Sequence, residues 1–243
     1  MLSGKTAIIT GGTSNIGRHF SLELARQNFA VFLHYHQAQE EAENLAAKIE
    51  KMGGQCFLHQ ADLGSDKELN NLADKISNLE NPTLLINNAS IFTPSNLPDS
   101  SFDEYEKNFA IHLKAPMILT KAFAQNCSDK KLPGNVVNML DKNITRYQTK
   151  YFYYNLSKKS LADFTKMAAL QLAPKIRVNG LGIGFYGNKC EGDDYMARFI
   201  PKIPLERKVE IENIISGLNY LLQNDCVSGD ILFIDGGSAL NHA

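Results

Sequence analysis

The chain has 243 residues, enough for one α/β domain or two small ones and enough to bury a hydrophobic core without metals or disulfides. Its 25 basic and 26 acidic residues leave a net charge of −1, and no basic run stands out, which argues against nucleic acid or an anionic membrane as partner. Cys56, Cys127, Cys190 and Cys226 are far apart and form no CxxC pair, so free thiols are expected. No signal-peptide pattern and no apolar run of membrane-spanning length is seen, and a soluble cytoplasmic protein is expected.

Residues 7–10 read as a short apolar strand. Gly11, Gly12 and Gly17 punctuate a turn, and Ile16, Phe20, Leu24 and Ala25 then recur at helical spacing. Strand, glycine turn and helix form the layout of a nucleotide-binding βα unit. Free N–H groups at the helix start face a phosphate, and glycines let the backbone approach it. The turn, Thr10 to Gly17, has neither GxGxxG spacing nor the GxxxxGK(S/T) pattern, so an ATPase P-loop is excluded. Taken alone, such a turn binds a nucleotide or merely reverses the chain.

A second strand is expected at 30–35. A helix follows at 40–52, with Ala42, Leu45, Ala46 and Ile49 on one face and Gly53-Gly54 ending it. A third strand spans 55–59 and is closed by Asp62. Ser65 with Glu68 reads as a capping box for a helix reaching about residue 78. Residues 83–86 form an unbroken apolar strand, as in a buried parallel sheet. Ser101 with Glu104 caps a long helix over 102–127, with Pro116 inside it as a kink. Strands at 135–139, 176–181 and 231–234 alternate with helices at 151–172, ended by Pro174, and at 209–222. A glycine-rich loop at 182–194 leads into a short segment at 194–199. Seven alternations predict a single α/β domain over residues 1–243, a doubly wound parallel seven-stranded sheet of Rossmann type with helices on both faces. Its ligand belongs outside the C-terminal strand ends, where residues 10–17, 87–92, 139–141 and 182–188 fall.

Tyr154 and Lys158, four apart at the start of a helix, share a face. An ammonium beside a phenol lowers its pKa, so the pair could move a proton near neutrality. The alternative is a packed ring with a surface lysine. Asp141, thirteen residues before Tyr154, holds a substrate amine, shares a proton with the tyrosine, or binds its own turn. The amides of Asn87 and Asn88 bridge strands or touch a cofactor. Phe92 stacks on a planar ligand at the cleft or packs in the core. Asp62 accepts from an adenine or starts a helix turn. The second strand ends Leu33-His34-Tyr35-His36-Gln37, without the acid that would bind the ribose hydroxyls of NAD. That points to NADP, with Ser14, Asn15, His34 and His36 as contacts and Arg18 close in sequence.

The TGxxx(x)xG turn at Thr10–Gly17, Asn87-Asn88-Ala89 and Tyr154-x-x-x-Lys158, in that order, resemble the short-chain dehydrogenase/reductase family across essentially the whole chain. Asp235-Gly236-Gly237 resembles the family's C-terminal strand end. The departures resemble its pteridine reductase branch: Asp141 where the family has its catalytic serine, Ser90 after the NNA, and a residue other than glycine at Asn15. His112, in the place of the usual helix asparagine, resembles the dihydromonapterin/dihydrofolate reductases of that branch. The resemblance implies NADPH-dependent reduction of a 7,8-dihydropterin such as dihydromonapterin or dihydrobiopterin, with dihydrofolate as a further substrate. Asp141, Tyr154 and Lys158 are then catalytic. Gly11, Thr13, Ser14, Asn15, Ile16, His34, His36, Asp62, Leu63, Asn88, Ala89, Tyr154, Lys158 and Gly184 hold NADP(H). Ser90, Phe92, Asp141, Tyr151, Tyr154 and Phe185 take the substrate, with a substrate loop around 184–204 and no metal. A general carbonyl reductase and a non-catalytic dinucleotide-binding protein are the rival readings. Apolar positions surround the helices at 102–127 and 151–172, more than one stripe requires. A homo-oligomer is therefore expected, and the resemblance makes it a tetramer with residues 235–243 near its second interface.

Overall fold

The computed structural model describes residues 4–128, 133–186 and 199–241. Its strands are β1 (Thr6–Ile9), β2 (Ala30–Tyr35), β3 (Cys56–Gln60), β4 (Pro82–Asn87), β5 (Gly134–Asp141), β6 (Ile176–Ile183) and β7 (Ile231–Ile234). They pair in parallel in the order β3-β2-β1-β4-β5-β6-β7. The helices are α1 (Asn15–Arg26), α2 (Gln39–Lys51), α3 (Asp66–Ser77), α4 (Phe102–Phe109), α5 (Ala115–Ser128), α6 (Phe152–Leu172) and α7 (Ile211–Gln223). Among the described residues, no helix is long and apolar enough to cross a membrane.

The strand alternation splits the core into two layers. Ala7 and Ile9 pack on one face with Leu24, Ile49 and Leu218 of α1, α2 and α7. Ile8 and Leu85 pack on the other with Leu72, Leu119 and Ala168 of α3, α5 and α6. Each such leucine or isoleucine, buried from water, contributes roughly 1.5–3 kcal/mol, and both faces being covered is why Leu84, Leu85 and Ile86 of β4 follow one another as an unbroken apolar run. One polar line crosses this core. Asn87 Nδ2 donates to Asn138 Oδ1 at 2.8 Å, and Asn138 Nδ2 donates to Thr165 Oγ1 at 2.9 Å. Asn87 thus takes the strand-bridging role of the two considered for it.

The elements fall where the periodicity places them, with two corrections. The expected continuous helix over 102–127 is broken. Between α4 and α5 lies a π-helical turn, Ala110–Lys114, in which the Ala115 N–H donates to Ala110 O. Pro116 has no N–H to continue the ordinary ladder, and the wider turn just before it absorbs the misfit. The Ser65 capping box is half formed. Ser65 Oγ accepts from the Glu68 N–H, but the Glu68 carboxylate accepts from the Asp62 N–H at 2.8 Å instead of turning back. The Ser101–Glu104 box is complete. Of the expected substrate loop at 184–204, residues 187–198 lie outside the described residues, as do Cys190, most of the segment expected at 194–199, and residues 242–243 of the C-terminal tail. Residues 182 and 183, expected in the loop, still belong to β6.

Because β1 lies between β2 and β4, the winding reverses there and leaves a crevice beyond the C-terminal ends of those strands.

Candidate active site

The glycine turn sits at that crevice and is pinned from two sides. Gly11 has φ +60°, and a Cβ at Gly17 would stand 2.2 Å from Gly11 O, so neither position admits a side chain. From β4, the Asn88 and Ala89 N–H groups donate to Thr10 Oγ1 at 2.9 and 3.0 Å. Asn88 Nδ2 reaches Thr10 O, Gly11 O and Ser14 Oγ at 2.9–3.1 Å. From β2, the Gly11 N–H donates to His34 Nδ1 at 3.1 Å and the Gly12 N–H to His34 O at 2.8 Å. His34 Nε2 then donates to Ala61 O at 2.9 Å. Burial holds its pKa down to about 4, so the ring is neutral.

This corrects the expectation that His34 touches the cofactor. Only 2 % exposed, with both nitrogens engaged, it is a strap beneath the turn. Asn88 is likewise occupied in holding the turn, and Gly11 contributes room, its N–H being turned to β2. Ser14 caps α1, accepting from the Gly17 N–H at 3.2 Å, and is exposed with Asn15. Thr13 and Ile16 are half-buried beside them. At the β2 end His36 is half-exposed, its Nε2 4.0 Å from Asp62 Oδ2. Asp62 Oδ1 accepts from the Gly64 N–H at 2.8 Å, the local turn that an aspartate favours. Leu63 is buried in the core layer under α3, so only its backbone could meet a ligand.

Tyr154, Asp141 and Lys158 stand together further along the same edge. Tyr154, 7 % exposed, donates to Asp141 Oδ2 at 3.1 Å. The other carboxylate oxygen accepts from the Asn143 N–H at 2.7 Å. Asp141 therefore makes its own turn and binds the tyrosine at once. Lys158 Nζ donates to Met139 O at 2.8 Å and lies 5.9 Å from the Tyr154 ring centre. Burial pulls its ammonium down to about 8, with the Asp141 charge pulling the other way. The phenol moves opposite to expectation. Burial, then the Asp141 charge, then the bond to it, hold the Tyr154 pKa well above the usual value. A carboxylate in hydrogen-bond contact outweighs an ammonium that bonds elsewhere. Tyr154 therefore holds its proton, with the hydroxyl turned to Asp141.

The rim is aromatic. Phe92, 59 % exposed, stacks on Tyr151 (centroids 4.1 Å, 12° between planes) and meets the Tyr154 ring edge-on at 4.8 Å. Its core alternative is thereby excluded. Phe185 stacks on Phe199 at 5.5 Å. Tyr186, which the sequence reading passed over, donates to Asn15 Oδ1 at 3.4 Å and ties the chain after β6 to the start of α1. Gly184 abuts Asp235, where a Cβ would stand 2.5 Å from Asp235 Cα. Ser90, exposed, lies 3.0 Å from His112 Nε2, and His112 Nδ1 lies 2.9 Å from Ser157 Oγ. Ser157 was missed as well. Its position three residues after Tyr154, on the face turned to the site, was the available signal.

A family model described as short chain dehydrogenase matches residues 5–192. The crystal structure of FolM alternative dihydrofolate reductase 1 from Brucella canis, complexed with NADP, superimposes with a TM-score of 0.89 and 30 % identity, over 99 % of this chain and 96 % of that one. In sequence, the chain is 27 % identical to an uncharacterized oxidoreductase of Escherichia coli, YohF, over 97 % of this chain and 96 % of the relative. It is 28 % identical to the L-xylulose reductase of Mus musculus, over 97 % of each.

Proposed function

The chain belongs to the short chain dehydrogenase family, and from that premise we propose that it reduces a 7,8-dihydropterin, such as dihydromonapterin or dihydrobiopterin, to the tetrahydro form with NADPH, dihydrofolate being a further substrate. The observation that carries this reading is the Tyr154–Asp141 hydrogen bond beneath the exposed Phe92 ring. A carboxylate accepts from the N–H groups that an amino-pterin presents, and an aromatic face at the rim suits a flat heterocycle. The likeness to an NADP-bound dihydrofolate reductase supports the same reading.

The residues fit a dinucleotide. Glycines at 11, 12 and 17 let the turn pack tightly on itself, Leu33 and Ala89, and the N-terminus of α1 that follows it suits a phosphate. Lys158 uses one ammonium hydrogen on Met139 O and has two more for ribose hydroxyls. β2 itself ends without an acid, so the carboxylate that would bind the ribose hydroxyls of NAD is missing from its end. When bound, NADPH would supply the hydride for the reduction. Tyr154 gives the proton that ends on N5. Asp141 orients the Tyr154 hydroxyl and accepts from the ring's N–H groups. Lys158 fixes the ribose. Phe92 and Tyr151 cover the heterocycle and exclude water.

A second reading, reduction of a sugar or acyl ketone, is favoured by the likeness to L-xylulose reductase. Oxidation of NADPH and of NADH, followed by absorbance against the three dihydropterins and a panel of ketones, separates the two. Turnover of dihydropterin, with NADPH bound more tightly than NADH, is expected. Turnover of ketones alone overturns the reading, and dinucleotide binding without any turnover favours a non-catalytic role.

A further inference from the structure

One buried imidazole beside the site has no part in the steps above. His112 sits in the π-helical turn, 1 % exposed, edge-on to the Tyr154 ring at 5.3 Å. Its hydrogen bonds fix where its proton is. The Ile91 N–H can only donate, and it donates to His112 Nε2 at 3.2 Å. That nitrogen therefore carries a lone pair. Burial, then the charge of Lys158, hold the ring's pKa well below its usual value against the Ile91 backbone, which raises it, so the imidazole is neutral; with Nε2 accepting from the Ile91 N–H, its one hydrogen is on Nδ1. Nδ1 donates to Ser157 Oγ at 2.9 Å, and the Ser157 hydroxyl donates onward to Tyr154 O at 2.8 Å.

The consequence falls on Ser90. Its oxygen is 3.0 Å from His112 Nε2 and 3.4 Å from Ile91 O. Both are acceptors, so in either arrangement the hydroxyl hydrogen stays inside the protein. On an exposed residue, the oxygen is left with its lone pairs as the sites open to a ligand. A hydroxyl ordinarily rotates to suit its ligand, as donor or acceptor; this one has a protein acceptor for its hydrogen in both of its arrangements. We infer that His112 is a positioning residue that sets substrate choice by fixing the Ser90 hydroxyl as an acceptor. Together with the Asp141 carboxylate, this gives the cleft two oxygens that receive N–H groups, while the Tyr154 hydroxyl hydrogen rests on Asp141. A heterocycle edged with N–H donors is matched. A ketone oxygen gains nothing from Ser90. The inference rests on the pterin reading and says which residue enforces it.

Two replacements of His112 test it. Glutamine places its carbonyl oxygen near the position of Nε2 and can still accept from Ile91 and Ser90. Asparagine reaches only as far as Nδ1 and releases Ser90. His112→Asn should raise KM for the dihydropterin about tenfold, the worth of one neutral hydrogen bond, with kcat, NADPH affinity and KM for any ketone little changed. His112→Gln should restore most of the loss. Ser90→Ala should match His112→Asn, and the double variant should be no worse than either. Asparagine and glutamine behaving alike, additive losses in the double variant, or a ketone KM that rises in step would each overturn the inference. If neither His112 variant folds, nitrogen NMR of the wild-type ring decides, since hydrogen on Nδ1 is required and hydrogen on Nε2 overturns it. Wild-type protein that turns over no dihydropterin sinks the function reading before His112 is varied. Wild-type turnover with indifferent His112 variants sinks this inference alone.

Discussion

Asp141→Asn removes a charge and almost nothing else. The amide keeps the volume of the carboxyl, and its oxygen can still accept from the Asn143 N–H, so the turn after β5 should stand. Two things change. The Tyr154 hydroxyl loses a charged acceptor 3.1 Å away, and the pterin loses a carboxylate. A hydrogen bond to a charged group contributes about 1.5–3 kcal/mol and one to a neutral group about 0.5–1.5 kcal/mol, so the exchange costs roughly 1–1.5 kcal/mol, or about 5- to 15-fold in kcat/KM for the dihydropterin. The Tyr154 pKa should fall, because two of the three causes that raise it involve Asp141. The Lys158 pKa should fall too, because Asp141 is what raises it. Steady-state oxidation of NADPH with dihydropterin and ketone in parallel reads the first effect, and ultraviolet difference titration of the phenol reads the second. An Asp141→Asn enzyme with unchanged dihydropterin kcat/KM would refute the role of the carboxylate. A phenol whose titration does not move would refute the electrostatic account.

Tyr154→Phe keeps the ring but removes the proton, and turnover should fall by about 10²-fold or more, the scale of general acid–base catalysis, with NADPH affinity unchanged; near-normal turnover would assign the donor elsewhere. Lys158 titrates at about 8 in the folded chain against 10.5 for a free lysine. Between those values the unfolded chain binds more protons, so stability from this group rises with pH across that window, by roughly 3 kcal/mol at most, and is lost as pH falls through 8. Urea melts of wild type and Lys158→Met should therefore diverge in favour of wild type between pH 7.5 and 9.5, values chosen about that window, and parallel curves would contradict it. Met167 and Leu170, 69 % and 85 % exposed on α6, should be covered in a homotetramer. Light scattering after size exclusion should give four times the chain mass, and a monomer would refute the assembly.

Strand existence was legible because the inner strands carry short, mainly apolar runs bounded by turn residues, a property of the sequence itself. The glycine turn was legible because crowding leaves no other residue possible at Gly17. The π turn was not, since nothing in Ala110–Lys114 distinguishes it from ordinary helix except the proline two residues on. His34 was misread because its place in the chain, near the strand end, suits a ligand contact, whereas its ring turns under the sheet edge to Gly11 and Ala61. The sign of the Tyr154 shift was out of reach for a related reason. Spacing along a helix puts Lys158 on the same face as Tyr154, but whether the ammonium or the carboxylate touches the hydroxyl depends on where β5 ends. Asp141 lies thirteen residues away in sequence and 3.1 Å away in space.

The amide line from Asn87 through Asn138 to Thr165 has a consequence for how the sheet assembles. Most of the facing residues of β4 and β5 are apolar and close in shape, and Leu85, Ile86, Val136 and Val137 could be exchanged in pairing with little penalty. Asn87 and Asn138 cannot. They stand opposite each other only in the native alignment. A slip of one residue would turn one amide to the opposite face, the layer of Leu24 and Ile49, and leave the other without its partner in the layer of Leu119 and Phe123. An unpartnered buried amide costs about 1–3 kcal/mol, enough to make the misaligned sheet rare. The pair thus acts as a key between the half of the sheet that carries the glycine turn and the half that carries Asp141, and it keeps the two halves of the cleft in step.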